Sequence, residues 1–288
     1  MKRQKPNRFF RAGKFSLDLN QRTHIMGVLN VTPDSFSDGG RYHGAKEAVR
    51  RAIAMAAEGA DIIDVGGEST RPGAAAVSER EEMRRVIPVI EKLVSRLSVP
   101  ISVDTRKPVV ARAAVETGAS IINDVSSLVG GDEIARIAAR SGAALILMHM
   151  KGRPSDMQKD PAYKDVIAEI SKFLKISICR AKEAGVPNNR IAVDPGIGFG
   201  KSVEHNLEII NRLCKFNRLG VPVCIGTSRK SFIGKVLGQR DPTDRLAGTI
   251  ASLVLSIAGG AVMIRVHDVK DAVGAARVAD SIIKERVI

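Results

Sequence analysis

The chain has 288 residues, 44% of them apolar, and lysine plus arginine outnumber aspartate plus glutamate by 45 to 31, which gives a formal net charge of +14. This length suits one α/β barrel of roughly 250 residues, and the basic balance favours an anionic partner. Only 3% of the residues are aromatic and none is tryptophan. Because stacking surfaces are therefore scarce, we expect no nucleic-acid partner.

The cysteines and the apolar runs indicate the cellular compartment in which the protein is expected. The three cysteines are odd in number and none belongs to a C-x-x-C pair, which predicts reduced, structural thiols. Charged residues interrupt the N-terminus, so no signal peptide is expected. The uncharged run 247–264 reaches the length of a membrane span, but its serines and its Gly259-Gly260 pair favour a buried helix, a turn and a strand. We therefore expect a cytoplasmic protein with no membrane partner.

Short β-branched runs alternate with helical patterns from residue 24 onward. The predicted strands are 24–30, 61–65, 100–104, 119–124, 143–149, 190–194, 221–226 and 261–266, with amphipathic stretches between them, as at 79–97, 161–183 and 268–286. Near-continuous apolar runs suit strands buried on both faces of a parallel sheet. Eight βα units in one series predict a single (β/α)8 TIM barrel over residues 24–288 rather than an open sheet. Residues 1–23 are predicted to form a basic tail and a short strand or hairpin that caps the barrel bottom.

Polar residues gather where the predicted strands end. They are Asn30, Asp64, Asp104, Asn123 with Asp124, His149, Asp194, and Arg265 with His267. Turns alone would place asparagine or aspartate at some of these ends, but not at nearly all of them. Because barrel enzymes build their active sites at this face, the pattern predicts an enzyme with a mixed-charge pocket for a small, polar, anionic substrate.

Eight stretches then resemble the dihydropteroate synthase family, in that family's order. They are MGVLNVTPDSFSDGG (26–40), GGESTRPGA (66–74), SVDTRK (102–107), IINDVSS (121–127), LMHMKGRP with MQKDPAY (147–163), DPGIGFGKS (194–202), GTSRKSFIG (226–234) and RVHDV (265–269). Any one stretch is weak evidence, whereas eight in order cover nearly all of residues 20–286. The resemblance implies a transferase of folate biosynthesis, a target of sulfonamides, that joins 6-hydroxymethyl-7,8-dihydropterin diphosphate to p-aminobenzoate and releases pyrophosphate.

The resemblance also implies a pterin site within the barrel. Its residues are Asp104, Asn123 and Asp194 against the ring's N–H donors, Lys230 on the acceptor side, Met148 and Phe199 as apolar walls, and Arg265 against the ring face. Buried polar groups that pair with one ring would reject others, which would leave those groups unpaired. The alternative for Asp104 and Asp194 is an ordinary turn carboxylate.

The residues implied to bind the diphosphate are Asn30, Arg71, Arg265 and His267. Asn30 is also the implied protein ligand of a Mg²⁺ ion that accompanies the pyrophosphate. Mg²⁺ usually keeps waters and takes ligands from substrate phosphates. The histidines and cysteines show no metal-ligand spacing, so we expect no stable metal site. The alternative for His267 is a residue that merely begins a helix.

Two loops, 31–43 and 66–78, are rich in glycine, serine, threonine and proline, and we expect them to be mobile until substrate binds. The resemblance implies that they complete a p-aminobenzoate pocket formed by Phe36, Thr70, Pro72, Ser228 and Lys230, with Asp34 closing onto the loop assembly. The second substrate would then bind after the first. The catalytic residues that the resemblance implies are Asn30, Arg71, Asp104, Asp194, Lys230, Arg265 and His267. We also expect a homodimer.

Two other enzyme or binding classes remain open. A corrinoid-linked pterin methyltransferase would share the pterin pocket but would not be expected to carry both loop sequences. A non-catalytic homologue would be expected to lose Asn30, Arg71, Arg265 or His267, and all four are present. A nucleotide site is not supported, because Gly200-Lys201-Ser202 lacks the upstream glycine of a P-loop, Pro195 standing in its place.

Overall fold

The computed structural model describes residues 9–32, 40–69, 76–152, 157, 161–238 and 241–287. Eight parallel strands form one sheet: β3 (His24–Asn30), β4 (Ile62–Gly66), β5 (Ile101–Asp104), β6 (Ile121–Asp124), β7 (Ala144–Met148), β8 (Ile191–Asp194), β9 (Cys224–Ile225) and β10 (Met263–Val266). Their order is β8-β7-β6-β5-β4-β3-β10-β9. A parallel bridge between Val193 and Val223 brings the two edge strands together, so the sheet forms a barrel. The predicted (β/α)8 architecture is confirmed.

The strands overlap all eight predicted segments, and most of them begin one or two residues later than predicted. Strand β4 is shifted by one residue, and β9 contains only Cys224–Ile225 of the predicted 221–226. The shortening has a local cause, because Pro222 has no backbone N–H to donate to a ladder. Its carbonyl still accepts a hydrogen bond from the Val193 N–H at 2.9 Å, which helps to close the barrel.

Nine α-helices among the described residues connect and surround the strands: α1 (Gly40–Ala57), α2 (Glu79–Val94), α3 (Pro108–Thr117), α4 (Glu133–Ser141), α5 (Val166–Glu183), α6 (Val203–Asn211), α7 (Ser231–Leu237), α8 (Leu246–Ala258) and α9 (Val269–Lys284). Helix α5 begins later than the predicted residue 161, because the Asp165 side chain caps it by accepting from the Ala168 N–H at 2.9 Å. Within the described ranges, no helix is long and apolar enough to cross a membrane.

An antiparallel hairpin, β1 (Phe9–Ala12) and β2 (Phe15–Asp18), precedes the barrel. Phe10 is fully buried and belongs to an apolar cluster with Met26, Ile62 and Ile121 near the amino ends of the strands. The hairpin therefore caps the barrel bottom, as predicted, and leaves the carboxyl ends of the strands free to form a site. The basic tail at 1–8 lies outside the described residues.

Candidate active site

A cavity of about 540 Å³ opens at the carboxyl ends of the strands. Nine of the predicted site residues line it: Asn30, Asn123, Met148, Asp194, Phe199, Ser228, Lys230, Arg265 and His267. They come from six strands or the loops that follow them, as the barrel requires. Asp104 is also brought to this place, where it contacts Arg265. The predicted residues Asp34, Phe36, Thr70, Arg71 and Pro72 lie outside the described residues.

A buried arginine between two carboxylates forms the floor of the cavity. The Arg265 Nε donates to Asp64 Oδ2 at 2.6 Å, and its Nη2 donates to Asp104 Oδ2 at 2.6 Å. Asn123 Nδ2 donates to the same Asp64 oxygen at 3.2 Å. Burial raises the pKa of Asp104, Arg265 opposes that rise and the nearby Asp64 adds to it. The other oxygen of each carboxylate, Oδ1, is buried and has no hydrogen-bond partner among the described residues.

From the sequence, Asp64 was predicted only to stand at a strand end, with no further role. Its pairing with Arg265 joins the second barrel strand, β4, to the last, β10, across 201 positions of the chain. A pair so distant in sequence follows from closure of the barrel, because β3 pairs with both of these strands. Each carboxylate also holds the guanidinium plane, so Arg265 has one orientation at the centre of the site.

Asp194 and an apolar cluster form the side of the cavity. Asp194 Oδ1 accepts from the Gly196 N–H at 2.7 Å. Burial raises the pKa of Asp194, while this hydrogen bond and the cations Lys230, Arg265 and Lys201 oppose the rise. The apolar cluster consists of Val125, Met148, Met157 and Phe199. Lys230 Nζ lies 4.0 Å from the centre of the Phe199 ring, a cation–π distance.

The apolar walls predicted from the sequence, Met148 and Phe199, therefore do border the cavity. Val125 and Met157 were missed. Val125 follows directly on the Asn123-Asp124 strand end, and its apolar side chain there could have suggested a wall. Met157 stands between two segments that lie outside the described residues, and no periodic pattern marks it.

His267 and Ser228 form a hydrogen-bonded pair at the other side. Ser228 Oγ lies 3.0 Å from His267 Nδ1, and the His267 backbone N–H donates to Ser228 Oγ at 3.2 Å. Burial and then Arg265, Arg229 and Lys230 lower the pKa of His267 to about 3, so the ring is neutral. Ser228 Oγ accepts the backbone N–H and can donate its own hydrogen to Nδ1. In that tautomer the ring proton is on Nε2, which can donate to a ligand.

Two residues that the strand-end pattern grouped with the pocket neither line it nor bind Arg265. Asp124 Oδ1 accepts from the Ser126 N–H at 2.8 Å and Oδ2 from the Leu128 N–H at 2.7 Å, so it stabilises a turn. His149 contacts Lys201. The physical reason is the alternation of side chains along a strand: Asn123 and Met148 face the cavity, and the residue after each faces away.

Two arginines at the cavity wall were also missed. Arg229 pairs with Asp268, with Nε 3.0 Å from Oδ2, and Arg245 Nη1 donates to the Arg229 carbonyl oxygen at 2.9 Å. Arg229 also has a positive φ of 57°. The SRKS stretch marked Ser228 and Lys230 but gave no indication of the Arg229 backbone conformation. The cavity wall is therefore more basic than predicted.

The DPGIGFG loop after β8 has glycines for a steric reason. At Gly196, φ is +72° and a Cβ would lie 1.9 Å from the His149 carbonyl oxygen. At Gly200, φ is +62° and a Cβ would lie 2.2 Å from the Lys151 carbonyl oxygen. The glycines thus allow the loops after β7 and β8 to approach closely, and this approach places Asp194 and Phe199 at the cavity.

Comparison with known proteins agrees with this geometry. The family described as pterin binding enzyme matches residues 26–267. The dihydropteroate synthase of Escherichia coli (strain K12) is 48% identical over 266 residues, 92% of this chain and 93% of that protein. The Yersinia pestis dihydropteroate synthase in complex with a sulfonamide drug has a TM-score of 0.90 at 42% identity and covers 96% of this chain and 99% of its own. The Xanthomonas albilineans enzyme with 4-aminobenzoic acid has a TM-score of 0.90 at 45% identity, with coverage of 96% and 98%.

The chain therefore belongs to the pterin-binding enzyme family and, within it, to the dihydropteroate synthases. These are transferases of folate synthesis. The resemblance found in the eight sequence stretches is confirmed, and the corrinoid-linked alternative is not supported by these relatives.

Proposed function

We propose that this cavity condenses 6-hydroxymethyl-7,8-dihydropterin diphosphate with p-aminobenzoate, giving 7,8-dihydropteroate and pyrophosphate. One observation carries the proposal: a single cavity is lined by the Asp194 carboxylate on one side and by cationic and neutral donors on the other, and Asp104 is paired with Arg265 at its floor. A ring rich in N–H donors that carries a diphosphate has the complementary arrangement. A related Xanthomonas albilineans enzyme binds 7,8-dihydropteroate, which supports the same product here.

The ring half of the site consists of Asp104, Asn123 and Asp194, with Lys230 on the acceptor side of the ring. Asp194 and Asp104 accept hydrogen bonds from the amino-pyrimidinone edge, and Met148 and Phe199 pack on its faces. Because Arg265 already gives two N–H groups to Asp64 and Asp104, its remaining donors and its flat face serve the substrate. Asp64 acts through Arg265 and positions it.

The diphosphate half consists of Arg265, His267 and Asn30, together with Arg71 from the second loop. His267 donates from Nε2, because Nδ1 is engaged by Ser228. Ser228 also belongs to the p-aminobenzoate pocket, with Lys230, Phe36, Thr70 and Pro72. The Ser228–His267 pair therefore joins the second substrate's site to that of the leaving group.

The reaction is a substitution at the exocyclic methylene carbon of the pterin. The carbon–oxygen bond to the diphosphate breaks, and its electron pair leaves with pyrophosphate. The aniline nitrogen of p-aminobenzoate forms the new carbon–nitrogen bond and loses a proton to solvent. No residue need act as a covalent nucleophile. The chain's part is to orient both substrates, to neutralise the leaving group, and to place Asp104 and Asp194 near the positive charge that develops on the ring.

Magnesium is proposed as the companion of the diphosphate, with Asn30 as its protein ligand. No group of three histidine, cysteine, aspartate or glutamate side chains in the described part of the chain could hold a metal. Asn30 Oδ1 and the Asp104 side chain both lie beside Gly66, where a Cβ would meet each of them at no more than 3.8 Å. The missing side chain leaves space at Asn30 for an ion that takes most of its ligands from phosphate and water. Bound there, the ion would neutralise phosphate charge.

Chelation should therefore abolish turnover without removing a structural metal. With excess EDTA, pyrophosphate release should fall to background and return fully on addition of Mg²⁺. The melting temperature without substrates should be the same with and without EDTA, because the protein alone supplies too few ligands. Full turnover in excess chelator would contradict the proposal.

Removal of His267 should act on the chemical step. In His267→Ala, the donor to the departing diphosphate is lost, and we expect kcat to fall by about 100-fold or more, as for loss of one oxyanion donor. The KM for p-aminobenzoate should change much less. Steady-state kinetics with both substrates varied gives the two effects separately, and a loss confined to KM would show that His267 serves binding only.

The overall reaction is tested by pyrophosphate release. Purified protein supplied with the pterin diphosphate, p-aminobenzoate and Mg²⁺ should release one pyrophosphate for each dihydropteroate formed. Release should require p-aminobenzoate. A protein that binds the pterin but releases nothing would be the non-catalytic homologue.

We also propose a cytoplasmic homodimer. The outer faces of the neighbouring helices α8 and α9 carry exposed apolar side chains, with Leu255 61%, Val278 61% and Ile282 71% accessible. Such a patch favours association. The three cysteines are free, in keeping with a reducing compartment. Sedimentation of the protein at micromolar concentration measures the oligomeric state.

A further inference from the structure

Lys201 is a buried cation for which the proposed chemistry has no use. Its side chain is almost fully enclosed, with 2% of the residue accessible, and it does not line the cavity. The ammonium donates to the Phe199 carbonyl oxygen at 2.9 Å, contacts His149 Nδ1 at 3.0 Å and reaches the His149 carbonyl oxygen at 3.4 Å. Burying a charged side chain costs free energy that an apolar side chain of similar size would not cost. A role for the charge would therefore explain why a lysine lies at this position.

The three acceptors join two loops behind the cavity. His149 follows strand β7, and Phe199 lies in the loop after β8, five residues beyond Asp194. The same loop is also held by Tyr163, whose hydroxyl donates to the Gly200 carbonyl oxygen at 2.9 Å. Lys201 is therefore placed where it can fix the loop that presents both Asp194 and Phe199.

The charges around Asp194 also indicate a role for Lys201 at this loop. Three cations oppose the rise in the pKa of Asp194: Lys230, Arg265 and Lys201. Lys230 and Arg265 line the cavity, whereas Lys201 does not. Around Lys201 itself are Asp194, Lys230, Lys151 and His149. Burial lowers the pKa of His149 to about 3, so it is a neutral acceptor. Burial lowers the pKa of Lys201 to about 7, so the ammonium is charged in weakly acidic solution.

We propose that Lys201 is a positioning residue for pterin recognition, whose ammonium holds the 194–200 loop, and with it Asp194 and Phe199, from behind the cavity. The proposal rests on the proposed function, in which Asp194 accepts hydrogen bonds from the pterin ring. The stretch Gly200-Lys201-Ser202 does not match a nucleotide-binding motif, and in this proposal its lysine serves the back of the pterin pocket.

The test is the pH dependence of binding of 6-hydroxymethylpterin, a probe without phosphates, between pH 4.5 and 7.5. In the unchanged protein, affinity should fall in acid as Asp194 becomes protonated. In Lys201→Met and Lys201→Gln, the fall should begin about one pH unit higher, the lower end of the effect of an opposite charge near a carboxylate. Protonation of Asp104 should change binding in the same way in all variants. The charges with the largest effect on its pKa are Arg265, Asp64, Glu82 and Lys230, and none of these is replaced.

Two controls separate charge from packing. Lys201→Arg keeps the charge and should leave the midpoint of the fall unchanged. Tyr163→Phe removes a hydrogen bond to the same loop without changing its charge, and should weaken binding at every pH with an unchanged midpoint. Equal midpoints in Lys201→Gln and the unchanged protein would overturn the proposal. So would failure of both neutral variants to fold, since Lys201 would then serve the fold rather than the site.

The roles of Asp194 and Lys201 can be refuted separately. If Asp194→Asn binds the probe as tightly as the unchanged protein, the proposed role of Asp194 is wrong. If Asp194→Asn weakens binding but Lys201→Gln does not move the midpoint, the inference about Lys201 alone is wrong.

Discussion

Replacement of Asp194 by asparagine should weaken binding of the unphosphorylated pterin by about 10- to 150-fold, the equivalent of about 1.5–3 kcal/mol for hydrogen bonds to a charged group. The variant keeps the shape of the side chain. Its amide oxygen can take the Gly196 N–H that Asp194 Oδ1 now accepts, which would leave an NH₂ group facing the N–H donors of the ring. Calorimetric titration with 6-hydroxymethylpterin measures the loss.

Stability provides the control for this variant. The folded protein raises the pKa of Asp194 through burial, so the carboxyl group binds its proton more tightly in the folded than in the unfolded chain. Its contribution to stability is therefore present in acid and lost as pH rises through the folded pKa. Asp194→Asn, which remains neutral, should be at least as stable as the unchanged protein at pH 7. A large loss of stability at that pH would mean that weak binding reflects unfolding.

Replacement of Arg265 by methionine should lower the free energy of unfolding by about 3–5 kcal/mol, as expected when one partner of a buried ion pair is removed. Asp64 is fully buried and Asp104 is 7% accessible, and both would lose their cation. The deficit should shrink in acid, because burial already raises the pKa of Asp104 and its protonation would relieve the unpaired charge. Urea denaturation at pH 9 and pH 5 measures both effects, because burial raises the pKa of Asp104 to about 7.

Arg112→Met is the matched control. Arg112 pairs with Glu133 at the surface, with the two side chains 48% and 35% accessible, and such pairs contribute about 0–1 kcal/mol. If Arg265→Met destabilises the protein no more than this control does, the carboxylates on the cavity floor are not held as charges by Arg265.

The strands and the barrel could be predicted because a parallel barrel strand is a local apolar run with a polar end. Strand β9 was the exception, since the missing N–H of Pro222 shortens the ladder without changing the apolar pattern. The same local reasoning grouped Asp124 and His149 with the pocket, although the alternation of side chains places only their predecessors, Asn123 and Met148, at the cavity. Two-residue periodicity applied at the strand ends would have separated them.

Other features depend on closure of the barrel and could not be read locally. The pairing of Arg265 with Asp64 and Asp104 joins residues 201 and 161 positions apart. Lys201 follows a glycine series that resembles a nucleotide motif, and only the approach of the loops after β7 and β8 shows its contacts with His149 and Phe199. Such contacts are set by packing between distant segments.

The division of the site into a ring half and a diphosphate half is tested most directly by one titration. Asp194→Asn and His267→Ala are each titrated with 6-hydroxymethylpterin under the same conditions. We predict that Asp194→Asn loses most of its affinity, whereas His267→Ala binds nearly as the unchanged protein does, because the probe has no diphosphate for His267 to contact. Equal loss of affinity in the two variants would contradict this account of the site.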